Sequence, residues 1–177
     1  MQIWCGFSRS KHIWAVGSKI IAESEKQPFS HAYIRYLCPI TGENMIFQAS
    51  RGLVNCSHID NFLVDNLIVK EYEFDCSTEQ FAEFYRFKVK ALGKKYSKKQ
   101  ILWLCIKKLL HVHTWPNKIY DVIKNGESES ICSETAALVC IILGIHIENN
   151  QLDQFSPSDL DKILANNNVL TSFNING

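Results

Sequence analysis

Residues 132–143 read Cys-Ser-Glu-Thr-Ala-Ala-Leu-Val-Cys-Ile-Ile-Leu, small and apolar enough for a buried helix, with Gly144 placed as its C-terminal cap. The stretch before it, from Lys118 to Ser130, turns polar at Gly126, Glu127, Ser128, Glu129 and Ser130, which predicts a surface loop. Cys132 therefore opens a helix directly after a loop. A helix N-terminus has unpaired N–H groups and the positive end of the dipole, so it favours a thiolate there. The Cys132 backbone N–H can also serve an oxyanion, so a nucleophile and part of its stabiliser come from one turn.

The chain around this segment has 177 residues, 46% of them hydrophobic and 21% charged, with 19 Lys+Arg against 18 Asp+Glu. That composition predicts one ordinary soluble domain able to bury a core without disulfide or metal staples. A net charge of +1 gives no global attraction to nucleic acid or acidic lipid, so no nucleic-acid partner is expected. The longest apolar run, 101–110, is broken by Lys107 and Lys108 and falls short of the ~20 residues of a membrane helix. The first six residues lead straight into Ser8-Arg9-Ser10-Lys11, without the pattern of a secretory signal. Seven cysteines, an odd number with no C-x-x-C pair, then predict free thiols in a reducing, cytoplasmic setting. A viral or signal-independent export route would leave no mark in these features.

Outward from 132–143, the patterning predicts an α+β domain over 1–165 and a mobile, Asn-rich tail over 166–177. Strands are expected at 3–7, 31–37, 45–49, 52–56 and 67–74, the second turning at Pro39 and Thr41-Gly42 into the third. In 67–74, Ile68, Tyr72 and Phe74 form the expected inner face together with Lys70, leaving Leu67, Val69, Glu71 and Glu73 outward. Helices are expected at 12–22, from a Ser77-Thr78 cap to Gly93, at 98–110, and from Ser156-Pro157 to Leu164. No internal repeat is evident.

A thiolate needs a base. Among six histidines, His31 begins a strand after the Pro28-Phe29-Ser30 turn, where its ring projects at a strand end. Gln48, polar beside Met45-Ile46-Phe47 on the adjacent strand, can orient the ring by accepting the imidazole N–H. On residue types alone, a buried cysteine and a strand-edge histidine are the commoner reading, since seven Cys and six His always offer some pairing. His111-x-His113 has no Cys or acid at ligand spacing beside it, so no metal or other cofactor is assigned. Lys94, Lys95, Lys98 and Lys99 around Tyr96 read first as a solvated connection, and the remaining six cysteines as inert thiols.

The order SHAYIRY, IFQAS, GKKYS, ICSETAALVC and SPSDL resembles the circularly permuted branch of the NlpC-like, papain-fold cysteine hydrolases, which includes the lecithin retinol acyltransferase relatives. The resemblance covers most of the chain; Cys-Ser-Glu is its most specific motif, and the order His before Cys marks the permuted branch. It implies an antiparallel sheet packed against helices, a Cys132 nucleophile, a His31 base and Gln48 in the third position, where such proteins often carry an acid or His. Tyr96 matches a Gly-x-x-Tyr feature of the family expected to line the cleft, and Ser133 and Glu134 travel with the Cys-Ser-Glu motif as candidate substrate contacts, although Ser133 reads first as a helix-start hydrogen-bonding residue and Glu134 fits a helix-dipole role equally well. The implied activity is thiol hydrolysis of an amide, peptide or isopeptide, as in peptidoglycan, with an acyltransferase or thioesterase acting on lipid acyl groups as an alternative. A binding or assembly module that keeps the fold without turnover is the rival, motivated by the neutral Gln48.

Overall fold

The computed structural model describes residues 1–12, 26–50, 52–95, 132–147, 155–167 and 169–173. The helices expected at 12–22 and 98–110, the loop 118–130, Tyr96, His111 and His113 lie outside the described residues, apart from His12 itself.

Alternating apolar side chains between turn residues produce the strands β1 (Gln2–Ser10), β2 (His31–Leu37), β3 (Asn44–Ser50), β4 (Leu53–His58) and β5 (Asn66–Asp75). A further strand, β6 (Leu170–Phe173), falls within the stretch expected to be a tail and pairs antiparallel with β5, Thr171 opposite Tyr72. Together they make one antiparallel sheet in the order β4-β3-β2-β1-β5-β6. Four helices are described: α1 (Ile59–Asp65), α2 (Thr78–Ala91), α3 (Cys132–Ile142) and α4 (Pro157–Asn166).

One cluster joins Ile3, Cys5, Phe7, Ile34, Tyr36, Phe47, Tyr72 and Phe74 of the sheet to Phe81 and Phe84 of α2, Ala136, Ala137, Val139 and Cys140 of α3, and Leu160 and Leu164 of α4. A smaller cluster, Tyr33, Ile46, Phe62 and Ile68, lies under α1. The expectation that Ile68 shares a face with Tyr72 and Phe74 is corrected here. Phe7 pairs with Lys70 but Ser8 pairs with Ile68, which leaves Val69 as the extra residue of a β-bulge. The alternation reverses at that point, so Ile68 joins Tyr33 and Phe62 while Val69 packs against the main core.

Glu71, expected to point outward, is buried. Its carboxylate accepts from Arg35 Nε at 2.9 Å, Arg35 Nη2 at 2.6 Å and Tyr33 Oη at 2.9 Å. The Arg35 guanidinium stacks over the Trp4 ring at 3.7 Å from its centroid. A buried charge is tolerated when paired and hydrogen-bonded in this way.

The start of α4 is a reciprocal cap. Ser156 Oγ accepts from the Asp159 N–H at 3.2 Å, and the Asp159 carboxylate accepts from the Ser156 N–H at 3.2 Å and its hydroxyl at 2.6 Å. The helix is then fixed to the sheet by Asp161, which accepts from Lys70 Nζ and Tyr72 Oη, each at 2.8 Å. Ser156→Ala is expected to destabilise the fold by about 1–2 kcal/mol. In urea unfolding this appears as a lower midpoint with an unchanged slope; an unchanged midpoint would refute the capping role.

Candidate active site

Helix α3 packs across β2 and β3, presenting the small, buried Ala136 and Ala137 to the sheet. Its first residue, Cys132, is thereby carried to the sheet end where β2 begins and the antiparallel β3 finishes. His31 is the first residue of β2 and Gln48 lies near the end of β3, so the three residues proposed from sequence meet. Cys132 is 6% exposed, Gln48 9% exposed, and His31 half-buried.

The His31 ring is held from both sides. Nε2 lies 2.7 Å from Gln48 Oε1. An amide oxygen only accepts, so with this amide orientation Nε2 carries the hydrogen and Nδ1 is the nitrogen left for Cys132. Burial opposes an imidazolium, yet the His31 pKa is raised, because the charge on Cys132, the hydrogen bond to it and the bond to Gln48 all favour the protonated ring. Burial likewise pushes the Cys132 thiol up. It is outweighed by the hydrogen bond to His31, the imidazolium charge, and the backbone N–H groups of Ala32 and Ser133, and the pKa falls below the ordinary thiol value. The two shifts are the two halves of one thiolate–imidazolium pair, which titrates as a unit.

The residues expected to contact substrate divide differently. The Ser133 hydroxyl is buried and donates to the Phe155 carbonyl, tying α3 to the segment entering α4, so its side chain is spent on packing and its backbone N–H serves the thiol. Glu134 is half-buried in the first turn of α3, an acid at the positive end of the dipole. The Ala32 N–H has no signal in residue type, and sequence reasoning passed it over.

Six cysteines are free among the described residues. Burial raises Cys5 and Cys76, as expected for inert thiols. Cys38 differs: in the turn after β2, the Thr41 hydroxyl and the N–H groups of Thr41 and Ile40 lower its pKa. Any thiol-labelling experiment must therefore separate Cys38 from Cys132, since both pKa values are lowered.

Among the described residues, no helix is long and apolar enough to cross a membrane. No protein-family model matches the chain, and no curated protein matches it. Among solved structures it is similar to the crystal structure of metalloprotein yiiX from Escherichia coli O157:H7, with 17% identity and a TM-score of 0.49 over 98% of this chain and 87% of that one.

Proposed function

We propose that the protein is a thiol hydrolase of the permuted NlpC-like, papain-like type, with Cys132 as nucleophile, His31 as base and Gln48 as the residue that orients His31. The carrying observation is the shared hydrogen bonding of one imidazole, with Gln48 at Nε2 and with the helix-opening Cys132. The thiolate attacks an acyl carbon, the Cys132 N–H at the α3 terminus receives the developing oxyanion, and the imidazolium protonates the leaving group. Water then resolves the acyl-enzyme. An amide, peptide or isopeptide is the proposed substrate class, with peptidoglycan amides one form of it.

The neutral Gln48 favours a second reading, a binding module without turnover, because an amide stabilises imidazolium less than a carboxylate does. Iodoacetamide labelling across pH, with the modified residue identified by mass spectrometry, separates the two. In a Cys38→Ser background, Cys132 is expected to react selectively below the free-thiol value of about 8.5, since its rate follows the thiolate fraction and that pKa is lowered. The rate falls only as pH drops through the lowered value. Uniformly slow labelling of all remaining thiols would exclude the hydrolase.

A further inference from the structure

The chain leaving α2 runs back along the edge of the sheet. After Leu92 it reverses at Gly93, whose φ is +81°, and residues 93–95 lie beside β4 as a short antiparallel segment. The Gly93 N–H donates to the Val54 carbonyl at 2.9 Å, the Val54 N–H donates to the Lys94 carbonyl at 2.8 Å, and Lys95 bridges to Leu53. These bonds fix the backbone of two exposed lysines, Lys94 and Lys95.

The register puts that backbone next to the candidate site. Val54 is the cross-strand partner of Ala49 and Asn55 that of Gln48. Lys94 therefore stands two strand spacings, about 10 Å, from the segment of β3 that holds Gln48. Successive residues of an extended segment point to opposite faces, so whichever face a substrate approaches, one of the two side chains is on it. Among the described residues that meet at this end, 30–32, 48–50, 53–55, 93–95 and 132–134, the ionisable side chains are His31, Cys132, Glu134, Lys94 and Lys95. The thiolate and the imidazolium cancel, and Glu134 offsets one lysine, which leaves this end positive. A unit charge at about 10 Å acts through the field it creates and needs no direct contact.

We propose that Lys94 and Lys95 are specificity-determining residues, a positive rim that favours acyl substrates carrying a carboxylate, such as an acidic peptide, over neutral ones at Cys132. The inference rests on the thiol-hydrolase reading and narrows its substrate class.

Iodoacetate and iodoacetamide test it, because they match in size and leaving group and differ by one negative charge. In each, the Cys132 thiolate sulfur bonds to the methylene carbon as iodide leaves. The ratio of the two rates therefore reads the potential at the thiol, and the thiolate fraction cancels. The ratio is measured at Cys132 by peptide mass spectrometry in the Cys38→Ser chain, at about 10 mM and about 1 M salt, where charges are screened over ~30 Å and ~3 Å. At low salt, Lys94→Ala and Lys95→Ala are each expected to lower the ratio about twofold and the two together about fourfold. Lys94→Glu with Lys95→Glu is expected to lower it about 15-fold, all as unit charges about 10 Å away in water require. In ~1 M salt the differences vanish, and the ratio of the chain with both lysines falls more steeply with salt than that of the double alanine variant. Both side chains are exposed, so an unchanged melting temperature is expected in every variant. Equal ratios with and without the lysines, or equal salt dependence, would overturn this inference and leave the hydrolase reading standing. A Cys132 that reacts slowly with both reagents would overturn the hydrolase reading and this inference with it.

Discussion

His31→Ala is expected to slow acyl hydrolysis by about 10²–10⁴-fold, the usual contribution of a positioned acid–base group. The imidazole carries both the hydrogen bond and the charge that outweigh the burial of Cys132. Without them the burial effect remains, opposed only by the Ala32 and Ser133 N–H groups and the helix terminus. The thiol is then largely protonated at neutral pH, and the leaving group loses its proton donor. Two readouts move together: p-nitrophenyl acetate turnover falls, and the pH at which Cys132 alkylates shifts upward. His31 is half-buried at a strand end, so the substitution leaves the core intact, and unchanged circular dichroism confirms that the loss is chemical.

The same pair fixes the sign of the pH profile in the wild-type protein. Hydrolysis requires thiolate and imidazolium together, so it rises as pH climbs through the lowered Cys132 value and falls as pH climbs through the raised His31 value. Alkylation requires only the thiolate and keeps its plateau on the alkaline side. An alkylation profile that His31→Ala leaves in place would show that the thiol owes nothing to the ring.

Gly6→Ala is expected to destabilise the fold by about 3 kcal/mol, the upper end of the range for overpacking. Gly6 pairs directly with Tyr33 across β1 and β2. A Cβ there would stand 2.2 Å from Tyr33 Cζ and 2.6 Å from Cε2, inside any permitted contact. The ring cannot move aside: it is fully buried, packs on Phe62 with 4.7 Å between centroids, and its hydroxyl is bonded to Glu71. Against a typical total of about 5–15 kcal/mol this is a large fraction, and the melting temperature should drop by roughly 10 °C. Tyr33→Phe in the same chain should give only partial relief, because it removes the Oη contact and the bond to Glu71 but leaves the clash with the ring carbons. A melting temperature within a degree or two of wild type would show that the ring is free to shift.

Local chemistry made some elements legible. Strand β2 has the bounds read from its alternation between a proline turn and the Pro39–Gly42 turn, and the Ser156/Asp159 box marks the start of α4 because both partners lie within four residues. What escaped depends on partners distant in sequence. Helix α1 is seven residues long with one buried side chain, Phe62, and is capped by His58, a residue without strong capping preference. The Val69 bulge exists only in the pairing of β1 with β5, so the face of Ile68 was not written in its own strand. Strand β6 is an edge strand four residues long in an Asn-rich stretch, stabilised by β5 rather than by propensity.

The candidate site follows the same division. Cys132 was legible from a helix-start signal, and His31 and Gln48 from strand positions ordered by a family resemblance. The Ala32 N–H was not, since it is a backbone donor that any residue but proline supplies. Ser133 stood out as part of the Cys-Ser-Glu motif, and the carbonyl that takes its hydroxyl is on Phe155, beyond the reach of local patterning.

The docking of α3 on β2 and β3 also sets when the Cys132 thiol meets the groups that lower its pKa. His31 and Cys132 are roughly a hundred residues apart, so their contact is among the non-local closures that form late in folding. A ribosome releases the sheet strands β1 to β5 well before α3, and until the helix seats itself Cys132 is an unremarkable thiol. The lowered pKa is thus a property of the finished tertiary structure, and a nascent or partly unfolded chain lacks it.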